Sequence, residues 1–210
     1  LSRERILAAA LRIADERGLA GLSMRALASD IGAPPMSLYR HVADKDAIFD
    51  GMVALMLDEI EPGGPHADWA VGVRAWALGF RRVARRHPGA FPLFASRPVT
   101  SYLAGREMAE AGLVTLRAAG FDAATAARAL RTVVRYVIGF SLGQSAGAGT
   151  DGDADDRAAP GLRAEGLPNL ADLVDDARAA EVETLFEFGL DVIVDGLAIR
   201  RSGGACSVAP

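Results

Sequence analysis

The sequence predicts an all-α protein, and three observations carry that expectation. Apolar residues recur at three- and four-residue spacing along nearly the whole chain, no run alternates with period two for long enough to make a strand, and capping residues fall between the periodic segments. The composition agrees, since 50% of the 210 residues are apolar, 6% aromatic and 24% charged, too hydrophobic for a disordered chain and suited to an alanine-rich helical globule. That length accommodates one larger domain or two small ones.

Taken in order, the first predicted helix runs from a Ser2 cap to about Arg17, with Ile6, Leu7, Leu11 and Ala14 on one face and Gly18 as its stop. Ser23 caps the next helix, Leu22 can pack on Leu27 across that cap, and Gly32 ends it after about two turns. Pro35 restarts a helix, because proline at the first helical position has no hydrogen bond to lose, and this second short helix ends near His41. Asp44 then caps a longer one through Ile48, Phe49, Met52, Leu55 and Met56.

The remainder is helical as well. Trp69 to His87 places Val73, Trp76, Phe80 and Val83 on one face until Pro88, and Pro92 and Pro98 cut the next stretch into short pieces. A helix from about Val99 to Ala119 precedes Gly120, and Asp122 caps another that carries Leu130, Val133, Val134, Val137 and Phe140. Residues 147–168, rich in Gly, Asp, Ala and Pro, read as a mobile acidic loop. Asn169 is expected to cap a short helix, Glu181 to Ile199 forms the last, with a wide stripe of Leu185, Phe186, Leu190, Ile193 and Leu197, and residues 201–210 read as a disordered tail.

Charge is informative by segment. The net of −4 argues against a nucleic-acid partner, but Thr150 to Asp195 holds 13 acidic residues against three arginines, so the rest of the chain is net +6. Any nucleic-acid surface lies outside that stretch. Apolar runs such as Met52 to Leu57 fall short of the roughly 18 residues that cross a bilayer. No basic, apolar leader precedes the first helix, although a start at Leu1 rather than Met allows for upstream sequence. A single cysteine, Cys206, excludes an internal disulfide and favours a reducing cytoplasm.

Several motif matches fail on context. Gly143-Gln-Ser-Ala-Gly147 has the letters of a nucleophile elbow but neither a strand before it nor a later histidine, since His41, His66 and His87 all lie upstream. Gly147-Ala-Gly-Thr-Asp-Gly152 matches a dinucleotide fingerprint without a strand and beside aspartates that repel a pyrophosphate. A calcium loop from Asp151 would need glycine and glutamate where Asp156 and Leu162 stand. The histidines lack ligand spacing, so neither a metal nor a cofactor is expected.

Two short helices across a glycine turn, inside a helical triplet, form the helix-turn-helix pattern, whose second helix enters a DNA major groove. Here the residues match as well as the spacing. Leu22-Ser-Met-Arg-Ala-Leu-Ala28, Ile31-Gly32, Ser37-Leu-Tyr-Arg-His-Val42 and Asp44-Lys-Asp-Ala47 together resemble the tetracycline repressor (TetR) family signature. A weaker resemblance to its tetracycline-repressor-type C-terminal domain lies in Ser96-Arg-Pro98, Tyr136-Val-Ile-Gly139 and Phe186 to Gly196. The family implies a homodimer that releases double-stranded operator DNA when a small molecule enters the C-terminal domain. Residues 1–46 would then be the DNA-binding domain and 47–200 the effector-binding and dimerisation domain.

Arg40 and Arg25 are the base-reading candidates, since a guanidinium bridges the two acceptors of a guanine edge, with Ser37 a weaker one. Tyr39 and His41 stand where family counterparts meet phosphate, and Lys45, the only lysine, adds charge beside the free amides after Asp44. Pro35 and Met36 complete the outward face, and Ser23 joins the interface at the cap of the first of the two short helices. Pro34 departs from the usual Ser or Thr before the recognition helix, so no contact is carried over there. Trp76, Phe80, Phe94, Tyr102, Met108, Leu113, Tyr136 and Phe140 are the effector-pocket candidates, though for any single one a core role is the more common one. The tetracycline branch uses a histidine before its Arg-Pro motif and a glutamate after the later glycine to engage drug-bound magnesium. Leu93 and Gly143 stand there, so an apolar, ring-containing effector is expected in place of a metal chelate.

The helices around Leu130 to Leu142 and Leu185 to Leu197 are expected to pair with their mates, Gly139 and Gly143 permitting close approach. Rival readings are a helical interaction module with vestigial DNA binding, and a small helical enzyme, for which no paired acid and base or activated nucleophile is visible.

Overall fold

A computed structural model describes residues 1–60, 68–97, 106–145, 158–179 and 181–201, and among these the regular structure is entirely helical. The chain divides into two compact units, Leu1–Ile138 and a second that begins at Gly139.

In the first unit, α1 (Arg3–Gly21) packs on α2 (Met24–Ile31) and α4 (Lys45–Asp58), and α2 packs on α3 (Pro35–Leu38). Ser2 caps α1 as its spacing predicts, its Oγ accepting from Arg5 N at 3.3 Å. Gly18 leaves helical geometry at φ 69°, but helical bonding resumes beyond it to Gly21, so it kinks the helix where the sequence suggests a stop. Ile6, Ala10, Ile13, Leu27, Leu38, Ile48, Met52 and Met56 are buried between these helices. Each large one removed from water contributes about 1.5–3 kcal/mol, enough to hold four short elements together.

The turn between α2 and α3 depends on Gly32. Its φ of 71° lets Ala33 N donate to Ala28 O at 2.9 Å and Gly32 N to Ser29 O at 3.3 Å, which closes α2 on its own carbonyls and redirects the chain. α3 is shorter than expected. It ends at Leu38, its only buried residue, and runs on through His41 as tight turns, with Arg40 N on Ser37 O and His41 N on Leu38 O.

Beyond these, α5 (Trp69–Arg86) meets α4 and α7 (Arg106–Ala118), and α6 (Leu93–Ser96) meets α4. Gly89 makes the join to α1 possible, since a Cβ there would lie 2.0 Å from Ala14 O. The helix expected from Val99 is described from Arg106 onward. α8 (Ala123–Ser145) starts where Asp122 Oδ1 accepts from Ala124 N and Thr125 N, as the cap predicts.

The second unit contains α9 (Ala158–Ala164), α10 (Pro168–Ala179) and α11 (Val182–Arg201). α9 corrects the acidic-loop expectation for residues 158–164. This alanine-rich segment forms two turns and is closed by Leu167 N on Leu162 O at 2.9 Å. α9 and α10 pack together, and Arg163 joins them through Asp172 and Asp175 at 2.8 and 2.7 Å. α10 begins at Pro168, so Asn169 lies inside it; proline's fixed φ starts the helix without a side-chain cap. Arg201 belongs to α11, while 147–157 and the tail from 202 lie outside the described residues. Gly143 to Ser145 close α8, Ser145 Oγ donating to Ser141 O at 3.0 Å, which leaves the rejected elbow motif at a helix end.

Gly32→Ala is expected to lower stability in urea unfolding by about 1–2 kcal/mol, the cost of a left-handed backbone for a Cβ-bearing residue, and Gly32→Asn is expected to recover part of it. An Ala variant as stable as the parent contradicts this role for the turn.

Candidate nucleic-acid interface and effector cavity

Leu27, Ala28, Leu38 and Val42 are buried beneath the two short helices, which turns the remaining side chains outward. Pro35, Met36, Tyr39 and Arg40 of the recognition element are exposed, Met36 at 75% and Tyr39 at 46%, while Ser37 and His41 are half-buried. Ser23, Arg25 and Lys45 are exposed as well, so the nine candidate positions fall within one helix-turn-helix and the start of α4.

Local bonds refine the roles. Ser23 Oγ accepts from Ala26 N at 3.1 Å and so caps α2, leaving its hydroxyl proton for another acceptor. Pro34 gives α3 no side-chain cap, and Ser37 takes over the closure: its Oγ donates to Pro34 O at 2.6 Å and its N to the same oxygen at 2.9 Å. That structural duty of Ser37 is invisible in a pattern search. Asp44 Oδ1 accepts from Ala47 N at 2.7 Å, so one of the amides expected to be free at the start of α4 is occupied. Lys45 Nζ rests 5.2 Å from the Phe49 ring centroid, which restrains its charge near the helix start.

Behind this surface two polar clusters fix α1 and α4 against the rest of the first unit. His87, at the end of α5 and 8% exposed, brings Nδ1 to 2.6 Å from Asp15 Oδ2 on α1 and Nε2 to 3.0 Å from Glu59 Oε1 after α4. Asp15 also accepts from Ala90 N at 3.2 Å. Arg97, just after α6, donates from Nη1 to Asp46 Oδ1 at 2.8 Å and from Nε and Nη2 to Asp50 Oδ1 at 2.9 and 2.6 Å. The hydrogen bonds to Asp50, then Asp46, hold the Arg97 guanidinium above its ordinary pKa against the burial that lowers it.

Arg97 also lines a cavity of about 300 Å³ within the first unit. Leu57 of α4, Trp76 and Phe80 of α5, Phe94 of α6, Met108 and Ala109 of α7, and Leu130, Val134 and Ile138 of α8 supply its apolar surface, with Arg131 and Arg135 beside them. Phe80 stands edge-on to Phe94 at 4.8 Å and near-parallel to Trp76 at 6.2 Å, a rigid aromatic wall. A smaller cleft of about 40 Å³ adjoins it, sharing Trp76, Met108 and Leu130. The Trp76 indole N–H is buried and has no acceptor among the described residues.

Trp76, Phe80, Phe94 and Met108 thus meet around one cavity. Leu113, Tyr136 and Phe140 do not line it, and Tyr102 lies outside the described residues. Tyr136 sits where burial pushes its hydroxyl pKa up and buried Arg81 opposes that, and Phe140 packs edge-on to Phe186 at 5.2 Å in the second unit. The aromatic signal finds the α5–α6 wall, whereas Arg131 and Arg135 are missed because an arginine on a helix reads as a solvated one, and Arg97 stands out only through its Arg-Pro motif, which does not mark it as a cavity residue.

Comparison with known proteins matches two family models to this chain. Residues 6–52 match the family model described as bacterial regulatory proteins, tetR family, and residues 61–201 the tetracyclin repressor-like C-terminal domain. The chain is 35% identical over 206 residues to the tetracycline repressor protein class A from transposon 1721 of Escherichia coli, covering 93% of this chain and 90% of that one. It is 33% identical to the transcriptional repressor DrrR1 of Streptomyces coeruleorubidus over 95% of this chain and 78% of that one. The apo structure of ActR from Streptomyces coelicolor superposes with a TM-score of 0.84 at 29% identity, covering 98% of each chain, and ActR is also solved with actinorhodin, TM-score 0.82, covering 98% of this chain and 99% of that one.

Proposed function

The chain belongs to the tetracycline repressor family of bacterial regulatory proteins, and on that premise we propose that it is a homodimeric repressor whose grip on a pseudo-palindromic operator is released by a ring-containing, largely apolar small molecule. As a member it is a ligand-responsive DNA-binding transcriptional regulator, and the family is one of regulators, not enzymes. Among the described residues no helix is long and apolar enough to cross a membrane. The chain's place of action is the cytoplasm, where operator DNA is.

The observation that carries the mechanism is Arg97. Its side chain belongs to the cavity wall and at the same time grips Asp46 and Asp50 in the first two turns of α4, directly after the recognition element. A ligand that displaces α6 or Arg97 shifts the start of α4, and with it the spacing of two recognition helices that must reach successive major grooves about 34 Å apart. Release needs only a preference of the ligand for the shifted state, and about 1–3 kcal/mol of coupling lowers operator affinity roughly 5- to 150-fold. Residues 1–46 read DNA in this mechanism, and 47–200 hold the effector and the dimer.

Two features support an apolar effector and a dimer. On the resemblance drawn from the sequence, Leu93, 2% exposed, corresponds to the tetracycline branch's metal-directed histidine and Gly143 to its glutamate, and neither side chain can engage a metal. On α11 the apolar residues divide: Phe186, Leu190, Val194 and Leu197 are buried, while Leu185, Phe188, Val192 and Ile199 remain 51–65% exposed. Such a face on one long helix favours a second copy as its cover. Gly139 and Gly143 of α8 have open space where a Cβ would stand, room for the close approach expected of them.

Arg40→Ala is expected to cost about 1–3 kcal/mol at one operator position and relax base preference there, whereas Lys45→Ala weakens all sequences alike. Gel shifts against a set of operator variants separate the two, and an Arg40→Ala protein that keeps every preference removes Arg40 from base reading. Sedimentation equilibrium at micromolar concentration is expected to give a dimer; a monomer contradicts the α8 and α11 pairing.

A further inference from the structure

The cavity is apolar over most of its wall and cationic along the α8 side, and we infer that the effector carries an acidic group, a carboxylate or comparable oxyanion, on its ring-containing body, bound by Arg131 and Arg135. The inference rests on the assignment of this cavity to the effector. Three of the residues lining it are arginines and none is acidic. Arg97 is committed to Asp46 and Asp50, so its charge is already answered. Arg131 and Arg135 are different: they stand one turn apart on the same face of α8, both exposed, and neither has a carboxylate partner among the described residues.

Arg128, one turn earlier, extends the row into an open groove with Thr132. Like charges three and four residues apart repel each other along a helix, so the row is less stable empty than with an anion across it. Guanidinium forks suit a planar oxyanion in two-bonded geometry, which a neutral apolar ligand leaves unused. A free inorganic anion would in turn leave the aromatic wall of Trp76, Phe80 and Phe94 unused. A molecule with rings at one end and an acid at the other uses both surfaces at once.

A matched pair of fluorescent probes tests this on the full chain. The anionic 8-anilinonaphthalene-1-sulfonate and the neutral N-phenyl-1-naphthylamine share their rings and differ by the acid. Titrations are made against the parent, an Arg131→Gln/Arg135→Gln variant and an Ala109→Trp variant that fills the cavity from α7, each checked for its helical circular dichroism. The anionic probe is expected to bind the parent about tenfold or more tighter than the neutral one, and the double glutamine variant to lose that advantage while keeping the neutral probe's affinity. Loss of both probes in Ala109→Trp places them in the cavity. Equal affinities of the two probes for the parent, with Ala109→Trp still excluding both, overturn the acidic effector and leave the cavity assignment standing. Probe binding indifferent to Ala109→Trp overturns both. A double variant that binds the anionic probe as the parent does, but changes self-association, gives Arg131 and Arg135 to an interface between copies and overturns the inference.

Discussion

A single guanidinium ties the cavity to the DNA-facing end of the first unit. Arg97 is 17% exposed, and a cation so far withdrawn from water needs charged acceptors; Asp46 and Asp50, one turn apart on α4, are placed to supply them. Because both acceptors sit in the helix that comes directly after the recognition element, satisfying Arg97 also sets the start of that helix. In the proposed mechanism the recognition element's position is conditional on the state of the cavity wall.

The far end of α4 is held by the second polar cluster, where His87 spans Asp15 and Glu59 beneath the close approach of Gly89 to Ala14. α4 is therefore fastened at both ends, by Arg97 near its start and by His87 just past its finish. A displacement at the α6 end then becomes a swing about the other, because packed interfaces respond as rigid pieces and deform little internally. In the proposed mechanism the recognition helix follows this frame, since α3 has only Leu38 as a buried anchor and packs on α2.

Much of the fold was legible because caps and periodicity are local signals. Ser2, Ser23, Asp44 and Asp122 each accept the backbone bonds that their positions imply, and Gly32 ends α2 as its place between two short helices requires. The failures are equally physical. Glycine and proline near residues 158–168 suggested a loop, yet Pro160 falls within the first turn of α9 and Pro168 starts α10, positions where proline costs a helix nothing. In the cavity, aromatic residues announced Trp76, Phe80 and Phe94, but Arg131 and Arg135 did not stand out, and Arg97 did so only as part of a motif. The role of Arg97 lies in its pairings with Asp50 and Asp46, 47 and 51 residues away in the chain, and no local pattern encodes these.

Control of the recognition helices by Arg97 is tested most directly by measuring their separation. Spin labels attached through Met36→Cys, in a Cys206→Ser background, report the distance between the two recognition helices of a dimer by pulsed dipolar spectroscopy. With Arg97 intact one narrow distribution is expected, and with Arg97→Ala a shifted or broadened one, since the start of α4 is then no longer held. Superimposable distributions for the two proteins would contradict it.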